Sequence, residues 1–378
     1  MGRRRFYALI AAGGTGGHVF SAQSLAEELL QRGWHVKMSM DARGARFASG
    51  FPECIDFEVI SSATFARGGL LSRFAAPFRI LAGVVSALAG MIAKRPDVVV
   101  GFGGYPTIPS LSGAWLLRIP SMIHEQNGVL GRVNRTFARR VDKVACGTWP
   151  LELPSGANGI HVGNPVRAEI LQRAGDEYVK PGKSENRIVV IGGSQGARLL
   201  SDVVPEAIAE LPENLRHHLK VSHQARDDDA GRVSRQYAAY GIAAEVETFF
   251  YDIAERLSKA QLVVSRAGAA SVADICVIGR PSILIPFAAA AHDHQTTNAK
   301  PLVEAGGAIM ISESELSPSA LGAGMSSLLF DSSSAAEMAK VALSLGIRDA
   351  QVVLADLVEQ MAGNPRRCKK TDPTGESE

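Results

Sequence analysis

Cysteine is scarce in this chain of 378 residues. The four present, Cys54, Cys146, Cys276 and Cys368, are far apart and form no CxxC pair. That spacing argues against a zinc ribbon or a disulfide framework and fits a reducing compartment. An excess of one charge is also missing. Forty Lys and Arg stand against 38 Asp and Glu, a net +2. This is too near neutral to argue for nucleic acid, and any basic attraction must be local. Long apolar runs are absent too. The most uniformly apolar uncharged stretch, ILAGVVSALAGMIA at residues 80–93, is shorter than the roughly 20 residues that span a bilayer. No transmembrane helix is expected. The opening MGRRRFYALIAAGG passes straight from a short apolar run into glycine, so it reads as a first strand and not as a signal peptide.

Glycine, by contrast, is plentiful and clustered. AAGGTGGHVF, residues 11–20, lies between an apolar strand-like run and SAQSLAEELLQRGWHV, whose apolar residues recur at helical spacing. A strand-to-helix turn built this way lets backbone approach an anion, with the helix N-terminus supplying unpaired N–H groups. RIVVIGGSQGARLL, residues 187–200, repeats the arrangement. Neither turn fits GxGxxG with a downstream acid cleanly, so a dinucleotide site is weakly supported.

Around these turns, strand candidates alternate with helical patterns. In the first half they are Tyr7–Ala11, Val36–Met40, Val98–Gly101, Ser121–His124 and Lys143–Cys146. In the second half they are Arg187–Ile191, Leu219–Ser222, Glu245–Thr248, Leu262–Ser265, Ser282–Ile285 and Ala308–Ile311. The fold expected is α/β: two Rossmann-like doubly wound domains facing a cleft at the carboxyl ends of their strands. The boundary is placed in the Pro-, Gly- and Asn-rich connection near Gly163–Arg167, giving domains 1–163 and 164–345. A C-terminal helix over 346–361 is expected, able to return to the first domain, and a disordered polar tail over 362–378.

Polar clusters stand where apolar runs stop. GFGGYPTIPS and IHEQNGVLGRVNR place His124, Glu125, Gln126 and Asn127 at a strand end. Asp274 falls in the first turns of a helix after SRAG, where it can cap the helix or bind a hydroxyl pair. His292, Asp293, His294, Gln295 and Asn298 follow a later strand, but three consecutive residues make a poor chelate. The D-x-D within Asp227–Asp229 reads better as a dipole-matched helix start than as a metal site. No metal and no cofactor are expected. Residues 64–95 carry basic residues and no acid; Leu81, Val84, Val85, Leu88 and Ile92 keep helical spacing. That helix can pack on its own sheet. Arg67, Arg73, Phe74, Phe78 and Arg79 also suit contact with anionic lipid.

The ordered set GGTGGHVF, GFGGYP, HEQNG, GNPVR, GGSQGAR, SRAGAASVADICVIGRP and HQTTNA resembles the MurG family, over roughly residues 7–360. The family's members are bacterial N-acetylglucosaminyltransferases that convert lipid I to lipid II in peptidoglycan synthesis. The resemblance implies the GT-B fold, UDP-N-acetylglucosamine as donor, lipid I as acceptor, metal-independent inverting displacement, and work at the cytoplasmic face of the membrane with an anionic surface as partner. It implies that Ser194 and Arg167 meet the diphosphate or its neighbourhood, that Phe250 offers backbone to uracil, and that the helix start Ala269, Ala270, Ser271, Val272, Ala273 and Asp274 holds phosphate and ribose. Gln295 would read sugar hydroxyls; Thr15, Gly16, Gly17 and Asn127 would approach the donor sugar. Asp274 stands where the family often has Glu, and His294 where some members have Gln. His18 is the first candidate for general base and Glu125 the second. A nucleotide-sugar 2-epimerase, a scaffold that holds a nucleotide sugar and a NAD-dependent oxidoreductase remain alternatives on the sequence.

Overall fold

The computed structural model describes residues 5–13, 16–42, 44, 51–59, 70–182, 185–193 and 196–363, with 70–79 described by backbone alone. The chain runs β1 (Tyr7–Ala11), α1 (Gly16–Gln31), β2 (His35–Met40), β3 (Asp56–Val59), α2 (Leu70–Ala93), β4 (Val98–Gly101), α3 (Thr107–Leu116), β5 (Ser121–Glu125), α4 (Arg132–Phe137), β6 (Lys143–Cys146) and β7 (Gly159–His161). It continues through α5 (Ala168–Gln172), β8 (Asn186–Ile191), α6 (Arg198–Ala209), α7 (Glu213–Arg216), β9 (Leu219–Gln224), α8 (Asp227–Ala239), β10 (Ala243–Glu247), α9 (Ile253–Lys259), β11 (Leu262–Ser265) and α10 (Ala269–Ile278). Last come β12 (Ser282–Leu284), α11 (His294–Glu304), β13 (Ala308–Met310), α12 (Pro318–Phe330), α13 (Ser332–Ser344) and α14 (Ala350–Met361).

Two all-parallel sheets result, ordered β3-β2-β1-β4-β5-β6-β7 and β10-β9-β8-β11-β12-β13. The inner strands YALIA and VVVG are buried throughout because helices cover both faces of such a sheet. Chain order reverses beside β1, which pairs with both β2 and β4, and beside β8, which pairs with both β9 and β11. Ligands bind outside the strand ends at such switch points. The glycine turns after β1 and β4, and those after β8 and β11, stand at the two reversals.

α14 packs on α1. Arg32 Nη1 donates to Asp356 at 2.6 Å and Glu359 at 3.2 Å, and Trp34 Nε1–H donates to the buried Glu359 at 3.2 Å. Leu354, Ala355 and Val358 complete the core under β1 and β2. The tail from residue 364 lies outside the described residues.

Two strands were not expected. β3, DFEV, is an edge strand with exposed residues, and β7 has three residues inside the Gly- and Asn-rich connection. The C-terminal ends of β9 and β10 also differ from expectation by one or two residues.

Candidate active site

A cleft of about 1080 Å³ opens between the two sheets, lined from the first by the starts of α1 and α4 and the ends of β4 and β5, and from the second by the starts of α6 and α10 and the segment around Gln295. Helix N-termini carry partial positive charge, and those of α1, α6 and α10 all open here. Arg167, Arg198 and Arg226 also line it, so the cleft is built to hold an anion.

His18 lies in the first turn of α1. Its Nδ1 lies 2.9 Å from the Gly13 carbonyl. A carbonyl only accepts, so Nδ1 carries the proton and Nε2 is the basic nitrogen of the neutral ring. Nε2 lies at the left-handed Gly103 (φ +91), where a Cβ would stand 3.4 Å from it. The same Cβ would stand 3.3 Å from Asn134 Nδ2, so Gly103 leaves room for both side chains.

Glu125 ends β5 and is 1% exposed. Its Oε1 accepts from Asn127 N at 3.1 Å and Asn127 Nδ2 at 3.0 Å. Its Oε2 accepts from Gly131 N at 2.8 Å and Asn134 Nδ2 at 2.9 Å. Four donors therefore converge on one carboxylate. The carboxylate fixes the amide of Asn127 so that Oδ1 points away from Glu125 toward the second domain, because Glu125 can only accept. His124, the first residue of that polar strand end, lies beneath the cleft. Burial pushes its ring down to about 4, and its Nε2 bonds the Gly163 carbonyl at 3.0 Å, tying β5 to the interdomain connection.

On the second sheet, Gln295 Oε1 accepts from Ala267 N at 3.1 Å and Phe287 N at 3.0 Å. Its amide nitrogen is thereby turned away from those two donors. Asp274 lines the cleft, and burial pushes its carboxyl up to about 7, with the Arg167 guanidinium pulling the other way. Arg167 itself lies 4.8 Å over the Phe20 ring. The Phe250 ring is 3% exposed and sits under the Arg256 guanidinium at 4.4 Å, so only part of this residue can face a ligand.

Of the residues singled out from sequence, Gly16, Gly17, His18, Glu125, Asn127, Arg167, Phe250, Ala269, Ala270, Ser271, Asp274 and Gln295 line this one cleft. Val272 and Ala273 do not; they pack on the core beneath α10, because a helix turns successive side chains about 100° apart. Thr15 and Ser194 lie outside the described residues. Sequence reading missed Arg266 and Asn134. Arg266 is 6% exposed and pairs with Glu313 at 2.6 Å. Asn134 is 2% exposed and bonds Glu125. Arg266 stands in SRAG, two positions before its glycine, one signal that could have found it. Asn134 lies in GRVNR, nine positions after the carboxylate it holds, with no local signal. The acidic run Asp227–Asp229 forms the first turn of α8, where Asp229 pairs with Arg232 at 3.0 Å. Among the described residues no three His, Cys, Asp or Glu side chains gather to hold a metal ion.

The glycosyltransferase family 28 N-terminal domain matches residues 8–146 and the C-terminal domain of that family matches residues 187–354. A protein of Caulobacter vibrioides is 45% identical over 358 residues, 94% of this chain and 99% of its own length. A protein of Mesorhizobium japonicum is 44% identical over 356 residues, 94% of this chain and 95% of its own. Both are UDP-N-acetylglucosamine–N-acetylmuramyl-(pentapeptide) pyrophosphoryl-undecaprenol N-acetylglucosamine transferases.

The chain belongs to the MurG family.

The crystal structure of Acinetobacter baumannii MurG superposes with a TM-score of 0.77 at 29% identity, covering 94% of this chain and 100% of that one. The MurG-family fold is shared more widely. A UDP-N-acetylglucosamine 2-epimerase of Listeria monocytogenes superposes with a TM-score of 0.68 at 15% identity, a likeness of fold alone. The GT-B architecture of two facing Rossmann-like units is thus the architecture of this chain.

Proposed function

We infer that this chain transfers N-acetylglucosamine from UDP-N-acetylglucosamine to the muramoyl 4-hydroxyl of lipid I, forming lipid II. The observation that carries the reading is the single cleft in which the MurG-family motifs meet, joined to 42–45% identity with transferases of that name over nearly the whole chain. A 2-epimerase shares the architecture of two facing units, so the identity with the transferases, and not the fold, separates the two readings. Here the first sheet contributes His18, Glu125 and Asn127, opposite the second sheet's Gln295 and Asp274.

The chemistry follows from the side chains. His18 Nε2 takes the proton of the acceptor hydroxyl, its ring held by Gly13. The oxygen attacks the anomeric carbon as the bond to UDP breaks, which inverts that centre. General-base help of this kind is worth about 10²–10⁴-fold. The diphosphate leaves with growing negative charge, met by the N-termini of α6 and α10 and by Arg167. No metal enters this scheme. Glu125, with both oxygens occupied by four donors, serves as the strut under Asn127 and not as the base.

The acceptor is anchored in a membrane, and the first domain carries a surface suited to one. Leu81, Val85 and Ile92 on α2 are exposed, as are Trp115 and Leu116 on α3, against which α2 packs. Sequence spacing had allowed the helix to bury its whole apolar stripe on the sheet; Val84 and Leu88 are only half-buried, and the buried residue is Met91, outside that stripe. Arg118 and Arg140 border a hollow beside Trp115. Apolar side chains ringed by arginines suit an anionic bilayer surface, here the cytoplasmic leaflet. The side chains of Arg73, Phe74, Phe78 and Arg79, and all of Arg67, lie outside the described residues. Among the described residues no helix is long and apolar enough to cross a membrane. Binding to anionic vesicles, lost at high salt and in an Arg118→Glu/Arg140→Glu variant, tests this surface. Undiminished binding by that variant would remove it.

A further inference from the structure

We propose that Asn298 is a positioning residue that acts through Asn127, setting that side chain from the opposite wall of the cleft. The polar groups here fix one another's orientation in sequence. Glu125 can only accept, so Asn127 turns Nδ2 toward it at 3.0 Å. That leaves Asn127 Oδ1 to face the second domain, where it accepts from Asn298 Nδ2 at 3.1 Å. The same Nδ2 donates to the Ala267 carbonyl at 3.1 Å. Asn298 Oδ1 accepts from Gly128 N at 2.9 Å. Asn298 is 3% exposed; its bonds to Gly128 and Ala267 are buried, and the one to Asn127 is half-buried.

Steric fit repeats the message. A Cβ on Gly128 would stand 2.5 Å from Thr297 Cγ2, so only glycine lets the loop after β5 lie this close to α11. Two residues of the first domain, Asn127 and Gly128, are therefore seated on two of the second, Thr297 and Asn298. Ala267, which Asn298 holds by its carbonyl, donates its own N–H to Gln295. The donor-facing amides of both walls thus share one buried network with Asn298 at its centre. Aspartate at 298 would keep the acceptor for Gly128 but turn a second oxygen on Asn127 Oδ1 and the Ala267 carbonyl, both acceptors.

The inference rests on the transferase reading in which Asn127 approaches the donor sugar; transfer by the parent tests that reading separately. The experiment is a double-mutant cycle on kcat and donor KM with Asn127→Ala, Asn298→Ala and both together, on variants with parental melting temperatures. Asn298→Ala is expected to lower kcat roughly tenfold to 10²-fold, since a small misplacement of a positioned group can cost about 10²-fold. In the Asn127→Ala background it should add almost nothing. Asn298→Asp should be at least as damaging as Asn298→Ala. Multiplying losses would overturn the proposal, as would an Asn127→Ala variant with parental kcat. Should Asn298→Ala fail to fold, Gly128→Ala gives a second route: it should lower kcat, and Thr297→Ala should restore it. Failure of that restoration would also overturn the proposal.

Discussion

Replacing Glu125 by glutamine separates a strut from a base. The carboxylate is buried and receives four hydrogen bonds, from Asn127 N, Asn127 Nδ2, Gly131 N and Asn134 Nδ2. Glutamine keeps one oxygen and puts an NH2 group where the other stood. Two of the four donors then face a donor. A buried group left unpaired costs about 1–3 kcal/mol, so two cost roughly 2–6 kcal/mol. A domain of this size loses about 2–4 °C in melting temperature per kcal/mol, so the variant should melt at least about 4 °C lower. Activity should fall with it, since the loop carrying Asn127 loosens. The shape of the pH profile should stay that of the parent, because the base proposed above is His18. The assays are calorimetric unfolding and steady-state kinetics across pH. An unchanged melting temperature together with loss of the low-pH limb of kcat would refute the reasoning and make Glu125 the base.

His18→Ala should lower kcat by about 10²-fold or more, with donor affinity by calorimetry nearly unchanged and the low-pH limb gone; parental kcat would end the assignment. Transfer should persist in EDTA, and Asp228→Asn should change turnover little, because the acidic run forms the first turn of α8; rescue of an EDTA-inhibited enzyme by magnesium or manganese would contradict this. Asp274, raised to about 7 from 3.8, binds its proton more tightly folded than unfolded. Its contribution to the stability of the ligand-free protein is therefore lost as pH rises from about 4 to about 7. Urea midpoints should show the parent falling relative to Asp274→Asn across that window, and parallel curves would refute the shift.

How much of this was legible in the sequence depended on how local the cause was. Inner strands such as YALIA and VVVG announced themselves, since a doubly covered strand must be apolar throughout. The edge strands of the first sheet did not: β3 meets solvent and reads DFEV, and β7 is three residues in a glycine-rich connection. The glycine turns were legible because only glycine permits the approach they make. Tertiary pairing was not. Nothing near Asn134 says that it bonds Glu125, and nothing in HEQNG says that Gly128 rests on Thr297. His124 shows the same limit from the other side. It shares a strand end with Glu125 and Asn127, yet alternation along β5 turns it under the cleft.

The central claim is transfer to a lipid-linked acceptor, and one measurement addresses it most directly. Purified protein is incubated with UDP-N-acetylglucosamine and a short-chain lipid I analogue, and the products are resolved by mass and by the NMR coupling at the new anomeric centre. The account predicts UDP release that requires both substrates and a β-linked disaccharide on the analogue. Donor turnover that proceeds equally without the analogue, by hydrolysis or by epimerisation at C2, would contradict it.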